Sequence, residues 1–250
     1  MISKRIISEI RELHLDKNRK EQQLFIAEGE KVVDELLRSG IKIKLLAFTE
    51  DWKIPVEVKK QEAEQYSVTE NELLKISLQQ KPNKVLAVAE IPAETPIDFS
   101  ENNGLILLLD GIRDPGNLGT MIRTADWFGV KHICCSPDCV GAYNPKVVQS
   151  AMGSLFRVKV AYNDAANYIK NSKSGGYQLV GASADGTFYA QFKNSGKIML
   201  VIGSESHGIS EEILSSTDMK AAIPRASGSQ AESLNAGVAA AILLAHFSKV

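Results

Sequence analysis

The stretch that decides the fold is residues 105–128, which read LILLLDGIRDPGNLGTMIRTADWF. It opens on a continuous apolar run, 105–109, of the kind found in a strand that is buried on both faces of a parallel sheet. Asp110 and a loop with two glycines follow, and a helix is predicted from about 117 to 128. A strand, a glycine loop and a helix in this order predict one βα unit of a parallel α/β sheet.

Strands and helices continue to alternate after this unit. Apolar segments predict strands at 131–135, 157–160, 178–182, 198–202 and 220–223. Helices fall between several of these strands, and a last helix is predicted from about 233 to 247. This alternation is typical of a parallel sheet that is covered by helices, so we expect an α/β fold for this half of the chain.

The residues before 105 predict a smaller α/β unit. Apolar residues at helical spacing predict a helix over 3–14 and a second one that ends near Arg38. Thr69 and Glu72 have the spacing of a capping box, which predicts the start of another helix. The predicted strands of this unit are 24–27, 43–48 and 85–89.

A change of composition separates the two halves. From 91 to 104 the chain is rich in Pro, Glu, Asn and Ser, which is typical of a linker. A length of 250 residues also exceeds that of a common single domain, which is about 100–150 residues. We therefore expect two domains, 1–95 and 104–250.

Composition alone says little about function. The chain is 44% hydrophobic and 24% charged, as in ordinary globular proteins. Its net charge of −1 does not exclude nucleic acid, because phosphate contacts depend on local clusters of Lys and Arg. One such cluster lies in the first twenty residues, where a solvated helix is an equally good interpretation. The N-terminus lacks the apolar core of a signal peptide, so we expect a cytoplasmic protein.

Three cysteines, Cys134, Cys135 and Cys139, lie close to His132 in the sequence. Alternation along the predicted strand 131–135 points neighbouring side chains to opposite faces, so these four residues could not easily surround one metal ion. The spacing also matches no usual zinc site. We expect buried, reduced thiols and no metal.

The loop and helix of the first segment suggest a site for an anion. Amides at a helix N-terminus receive phosphate groups, and Arg123, in the second turn, has the fork geometry that binds a phosphate through two hydrogen bonds. An Asn cap and an ordinary surface Arg explain the same residues. The glycines at 111, 116 and 119 do not form the dinucleotide-binding fingerprint.

Two further segments place polar residues after predicted strands. Residues 201–210 read VIGSESHGIS and bring Glu205 and two glycines into a tight loop, where glycine permits close approach of a ligand. His207 in this loop admits a general-base role, although a loop histidine is more often a surface or capping residue. Residues 222–236 read AIPRASGSQAESLNA and lead into the last helix. Ser233 and Asn235 fit helix capping as well as a site.

Together, in this order, the three segments resemble the motifs of the SpoU-type, or TrmH-like, RNA ribose methyltransferases over about residues 105–247. The first motif is matched by Asn117, Gly119, Arg123 and Ala125, and the second by Gly203 and Glu205. The third is matched by Ile223, Pro224, Ser233, Leu234 and Asn235. The chain departs from the family at Ser204, Ser206 and Gly237, and its loop between Pro224 and Ser233 is longer than in many relatives.

The resemblance implies a fold and a set of partners. It implies a trefoil-knotted, SPOUT-type α/β domain that binds S-adenosyl-L-methionine at Gly203, Ile223 and Leu234 and forms a homodimer through the last helix. The first domain is similar to an L30e-like substrate-binding domain, and Arg19 and Lys20 are its candidate RNA-binding residues. RNA is the implied substrate, and the two-domain layout favours ribosomal over transfer RNA.

The resemblance also implies a chemistry, methyl transfer to a ribose 2′-hydroxyl. We expect Arg123 to bind the phosphate beside the target ribose and to assist removal of the hydroxyl proton. The remaining catalytic candidates, which would shape the pocket, are Asn117, Glu205, Ser233 and Asn235. The alternatives are methylation of a base nitrogen, ribose methylation of transfer RNA, an RNA-binding module that has lost catalysis, and a nicotinamide-dependent oxidoreductase.

Overall fold

The computed structural model describes residues 2–53, 55–56, 62–100, 104–193 and 196–248. The chain divides into two compact units, Met1–Ala93 with Gly141–Arg157, and Glu94–Val140 with Val158–Val250. The domain ranges 1–95 and 104–250 stay a prediction, and the structure differs from them by grouping 141–157 with the first unit. In that unit the rings of Phe25 and Tyr143 pack with centroids 4.9 Å apart. Residues 101–103 of the predicted linker lie outside the described residues.

Helices and strands follow one another along both halves of the chain. Up to residue 90 they are α1 (Lys4–Glu12), α2 (Asp16–Gln22), β1 (Leu24–Glu28), α3 (Glu30–Arg38), β2 (Ile43–Phe48), β3 (Glu64–Ser67), α4 (Glu70–Ile76) and β4 (Val85–Glu90). From residue 105 they are β5 (Leu105–Asp110), α5 (Pro115–Trp127), β6 (His132–Cys135), α6 (Pro145–Ala151), β7 (Lys159–Tyr162), α7 (Ala165–Ser174), β8 (Gln178–Phe188), β9 (Ile198–Gly203), α8 (Glu211–Ser215), β10 (Met219–Ala222) and α9 (Ala236–Phe247).

The first unit contains a sheet of strand order β1–β4–β2–β3. β4 is antiparallel to both β1 and β2, and β3 adds a parallel edge. The predicted capping box is confirmed, because the Glu72 amide donates to Thr69 Oγ1 at 3.2 Å and the Thr69 amide donates to Glu72 Oε2 at 2.9 Å. The predicted strand 43–48 coincides with β2, whereas β3 has no counterpart among the predicted strands.

The predicted helix over 3–14 corresponds to α1, and a further helix that was not predicted, α2, follows it. α1 ends at Glu12 and α2 begins at Asp16. The turn between them is held by Arg19, whose Nη1 donates to the carbonyl oxygens of Leu13 and His14 at 2.9 Å each. A guanidinium group that satisfies two carbonyls after α1 stabilises the turn into α2, a helix that apolar periodicity alone does not indicate.

The second unit is built on a parallel sheet of order β10–β8–β9–β5–β6–β7. This confirms the predicted parallel α/β fold. β9 and β5 are neighbours, and Asp110 at the end of β5 lies opposite Gly203 at the end of β9. On the other side of β5, Leu109 lies opposite Cys135, the last residue of β6. Because the strands are parallel, the loops after these three strands meet at one edge of the sheet.

Several boundaries differ from the sequence prediction for reasons that are local. α5 begins at Pro115 rather than 117, because the Asp114 side chain accepts the Asn117 amide at 2.8 Å and proline is favourable in the first turn. α9 begins at Ala236 rather than 233. β8 extends past 182, and its register against β10 shifts between Lys220 and Ala221, which leaves 182–186 as a bulge.

The last helix packs closely against α5. A Cβ atom added at Gly237 would lie 3.5 Å from Thr120 Cγ2, which is ordinary van der Waals contact. The small residues of α9 therefore bring it close to α5 and set its N-terminus beside the start of that helix.

The predicted state of the thiols is confirmed, since Cys134, Cys135 and Cys139 are all buried and free. Among the described helices, none is both long and apolar enough to cross a bilayer.

Candidate active site

A cavity of about 370 Å³ lies at the carboxyl edge of the parallel sheet. We call it the strand-end cavity. Its lining consists of residues 110–114, Asn117, Asp138, 204–208, Ser210 and Ala236, all in the second unit. All three segments identified in the sequence meet here, the third through Ala236, the first residue of α9, as expected for loops at the carboxyl ends of parallel strands.

Three predicted residues form one hydrogen-bonded group, which we call the amide–carboxylate cluster: Asn117, Glu205 and Asn235. Glu205 Oε1 accepts from Asn117 Nδ2 at 2.9 Å and also from Asn235 Nδ2. Asn235 Nδ2 donates to Asn117 Oδ1 at 2.8 Å as well. The backbone amide of Ala236 is a further donor to Glu205 Oε1, at 3.1 Å. The cluster thus ties together one residue from each of the three motifs.

Local structure fixes each member of the cluster. Asn117 lies in the first turn of α5, and its own amide is held by the Asp114 side chain. Asn235 is the N-cap of α9, where its Oδ1 accepts from the Val238 amide at 3.2 Å. The capping interpretation of Asn235 is therefore confirmed, and the same side chain also binds Glu205 through its Nδ2. A carboxylate at the start of α9 is favoured by the positive end of the helix dipole.

The loop that carries Glu205 is closed on itself. Ser204 and Gly208 exchange two backbone hydrogen bonds, at 3.0 and 2.9 Å. A Cβ atom at Gly203 would lie 2.0 Å from the carbonyl carbon of Gly208, so only glycine fits there. The side-chain space at Gly203 is filled by the backbone of this loop. Beyond the loop, the Ser210 amide donates to Asp110 Oδ2 at 2.7 Å, which joins the second segment to the end of β5.

Two predicted catalytic residues lie apart from the cluster. Arg123 is exposed on α5 and makes no hydrogen bond or ion pair with the described part of the chain. Six residues after Asn117, it points about 120° away around the helix at 100° per residue. Ser233 is also exposed and makes no side-chain hydrogen bond within the described residues. The structure therefore brings Asn117, Glu205 and Asn235 together, whereas Arg123 and Ser233 lie outside this group.

The predicted cofactor positions lie at or after the ends of β9 and β10. Gly203 ends β9, Ile223 directly follows β10 and is half-buried, and Leu234 precedes α9 with 45% of its surface exposed. Between the last two, Arg225 Nη1 donates to the carbonyl oxygen of Ala231 at 3.0 Å and closes the loop. An exposed leucine next to an exposed loop fits a ligand with an apolar ring, such as the adenine of S-adenosylmethionine.

Sequence reasoning missed a second network on the wall of the cavity. Arg113 Nη2 donates to Asp138 Oδ2 at 3.1 Å, and the Ser136 hydroxyl donates to Asp138 Oδ1 at 2.6 Å. The Gly111 amide donates in turn to Ser136 Oγ at 2.9 Å. The Ser136 hydroxyl, and after it the Arg113 guanidinium, lowers the pKa of Asp138 despite partial burial. A signal for this network was present in the sequence, because Ser136 and Asp138 directly follow β6, the strand that pairs with β5.

Cys139 lies behind the same loop. Its sulfur accepts the Ile112 amide at 3.2 Å and lies 3.4 Å from Ser136 Oγ. Hydrogen bonding with the Cys135 thiol, followed by these two donors, lowers the pKa of Cys139 to about 7, against the opposing effect of burial. Burial raises the pKa of Cys134 and Cys135, so those two thiols stay protonated.

The two candidate RNA-binding residues of the first unit differ in exposure. The Arg19 side chain is 2% exposed, and its guanidinium bonds to two carbonyls and to Asp16 at 3.0 Å. This burial argues against an RNA contact by Arg19. The Lys20 side chain is 73% exposed and forms a surface ion pair with Asp16 at 2.7 Å, so it remains accessible to a phosphate.

Comparison with known proteins agrees with this geometry. Residues 104–245 match the model of the SpoU rRNA Methylase family, and residues 4–87 match that of the MRM3-like substrate binding domain. The chain belongs to the SpoU rRNA methylase family. This confirms the predicted family, the predicted class of enzyme and the assignment of the first unit as a substrate-binding domain.

Individual SpoU relatives cover nearly the whole chain. A Bacillus subtilis protein, the 23S rRNA (guanosine(2553)-2′-O)-methyltransferase RlmP, is 32% identical over 241 residues, which are 96% of this chain and 94% of that protein. A solved AdoMet-bound rRNA methyltransferase from Sinorhizobium meliloti is 29% identical, with a TM-score of 0.88 over 99% of this chain and 95% of that one. A TrmH-family structure from Porphyromonas gingivalis is 34% identical, with a TM-score of 0.85 over 100% and 99% of the two chains.

Proposed function

We propose that this protein transfers a methyl group from S-adenosyl-L-methionine to a ribose 2′-hydroxyl of ribosomal RNA. The observation that carries the proposal is the amide–carboxylate cluster, in which each of the three SpoU motifs contributes one polar side chain to one site. The full-length similarity to an enzyme named for 23S rRNA 2′-O-methylation supports ribose and ribosomal RNA as the target. The AdoMet-bound relative supports the cofactor.

The cofactor supplies an electrophilic methyl group on a sulfonium sulfur. Ile223 and Leu234 would hold the apolar ring of this cofactor, and the main chain at the ends of β9 and β10 would bind its polar groups. The amide–carboxylate cluster fixes the ribose, since a hydroxyl that is held in line with the methyl group lowers the barrier by several kcal/mol in well-oriented systems. Glu205 is the acceptor in this cluster and orients the two amides toward the sugar.

Arg123 binds the phosphate beside the target ribose. A planar guanidinium matches a phosphate through two hydrogen bonds, and this neutralises the charge next to the reacting hydroxyl. Arginine is too basic to act as an ordinary base at neutral pH. We assign the proton to the phosphate oxygen that Arg123 positions, with Ser233 at the edge of the same site.

The position of Arg123 favours a homodimer in which it serves the partner's site. Arg123 lies away from the cluster of its own chain, on a face of α5 that also carries Trp127, four residues on, with 79% of its surface exposed. Val238 on the neighbouring helix α9 is 47% exposed. Large apolar side chains at such exposure are suited to burial between subunits. Burial of α5 and α9 in a dimer, and a trefoil knot at the cofactor loops, are parts of this proposal, as is a cytoplasmic location.

The test is a methyl-transfer assay with labelled S-adenosylmethionine and unmodified ribosomal RNA, followed by digestion to nucleosides. We expect a labelled 2′-O-methylnucleoside with the wild-type protein and none with Arg123→Ala. Arg123→Lys keeps the charge but loses the planar fork, so its turnover should remain far below that of the wild type. Label on a base would favour base methylation. If only transfer RNA is methylated, the substrate is transfer RNA and not ribosomal RNA. If neither RNA is methylated, a non-catalytic RNA-binding module is favoured.

A further inference from the structure

The charge on the wall of the strand-end cavity is unusual for a site that must receive RNA. Four carboxylates line it: Asp110, Asp114, Asp138 and Glu205. Asp110 and Asp114 each accept a backbone amide, at 2.7 and 2.8 Å, and Glu205 accepts three donors. Without a cation, such a wall would repel the phosphates of an entering strand.

Arg113 is the only Arg or Lys among the described residues that line this cavity. Its side chain is 75% exposed, and its bond to Asp138 uses Nη2 alone among the described contacts. The other guanidinium N–H groups therefore remain available to a ligand. Exposed ion pairs of this type are weak, so contact with a second anion costs Arg113 little.

The anchor of Arg113 is rigid even though the guanidinium is exposed. Asp138 is held by Ser136, which is 4% exposed and accepts the Gly111 amide of the same loop. A Cβ atom at Gly111 would lie 3.2 Å from Asp138 Oδ2, so backbone and carboxylate are already packed together. This chain of contacts fixes the direction in which Asp138 presents its second oxygen to Arg113.

We propose that Arg113 binds a backbone phosphate of the substrate RNA at the strand-end cavity, in addition to the phosphate bound by Arg123, and that Asp138 positions it. The inference rests on the proposed function, since it takes RNA to be the substrate. It assigns to the loop after β5 an electrostatic role that the three motifs do not include.

The test compares Arg113→Ala with the wild type in methyl transfer and in binding of an unmodified 23S ribosomal RNA transcript across a series of salt concentrations. A lost charge-assisted hydrogen bond should lower kcat/KM for RNA about tenfold, mostly through KM. The slope of log affinity against log salt should fall by about 0.7, the value for one phosphate contact on a single strand. The affinity for S-adenosylmethionine should stay unchanged. Lys170→Ala, which removes an exposed charge on α7 away from the cavity, is the matched control and should alter neither quantity.

The positioning role of Asp138 has its own readout. Asp138→Asn should raise KM for RNA in the wild-type background and have no further effect in the Arg113→Ala background, because it acts through that guanidinium. An unchanged salt slope in Arg113→Ala would overturn the inference, even if methyl transfer falls. Failure of the proposed function would be seen separately, as absence of 2′-O-methylnucleoside with the wild-type protein, and the salt slope of binding would still decide on Arg113.

Discussion

A single methyl group at Gly203 should open the loop that carries Glu205. In Gly203→Ala the new Cβ would lie 2.0 Å from the Gly208 carbonyl carbon and 2.1 Å from the Ile209 nitrogen. Both are main-chain atoms, so the loop must move as a whole and the two hydrogen bonds between Ser204 and Gly208 break. At about 1 kcal/mol for each hydrogen bond and about 2 kcal/mol for overpacking, the free energy of unfolding should fall by about 4 kcal/mol.

The matched control is Gly208→Ala in the same loop. Gly208 has φ +69 and no heavy atom within 4 Å of an added Cβ, so this variant meets conformational strain but no clash. Its cost should be about 1 kcal/mol. In calorimetry, at about 3 °C for each kcal/mol in a chain of this size, Gly203→Ala should lower Tm by about 12 °C and Gly208→Ala by about 3 °C.

Isothermal titration with S-adenosylmethionine then distinguishes two reasons for glycine at position 203, closure of the loop and close approach of the ligand. An opened loop should also weaken the affinity of Gly203→Ala for the cofactor, while Gly208→Ala should bind nearly as the wild type does. Equal stability of the two variants would refute the closed-loop geometry. A Gly203→Ala protein with full stability but no cofactor affinity would show that the glycine serves ligand approach, as the sequence alone suggests.

Other variants test the residues around the cavity. Asn235→Asp places a second carboxylate beside Glu205, so methyl transfer at neutral pH should fall at least tenfold, whereas Asn235→Ser keeps a helix cap and should preserve stability within about 1 kcal/mol. Cys139 has its pKa lowered to about 7, so thiolate absorbance at 240 nm should rise as pH increases through 7, and Cys139→Ser should abolish that rise. Because an unfolded thiol has a pKa of about 8.5, this group should add stability that is complete above that pH and is lost as pH falls through the folded pKa, which chemical denaturation can measure. Asp114→Ala removes the cap of α5 and should cost about 1 kcal/mol, with Asp114→Asn close to the wild type.

Local pattern predicted two strands closely, and for β5 the reason is that burial on both faces leaves a continuous apolar run. The predicted strand 43–48 coincides with β2, and 105–109 differs from β5 by one residue. β3 was missed because its sequence, EQYS, is polar and forms an edge strand, so it is defined by pairing with β2 rather than by its own residues. α2 was missed because its sequence, DKNRKEQ, is polar throughout and has no apolar periodicity.

The site shows a similar division between local and long-range information. Motif order identified Asn117, Glu205 and Asn235, which the parallel sheet brings together at one edge. The same motifs contain Arg123, but the six-residue spacing from Asn117 along α5 turns its side chain about 120° away from the cluster. Asp138 could not be linked to Arg113 from sequence, because the contact depends on β6 lying beside β5, and strand order is a long-range property.

The two carboxyl oxygens of Glu205 divide its structural and chemical roles. Oε1 accepts all three described hydrogen bonds, from Asn117, Asn235 and the Ala236 amide, and so holds the starts of α5 and α9 to the loop after β9. Oε2 has no hydrogen-bond partner among the described residues and can accept from a further donor. Because the structural bonds saturate one oxygen, substrate can engage the other without breaking the cluster. Glu205 therefore joins the three motifs through Oε1 and keeps the lone pairs of Oε2 for a further donor.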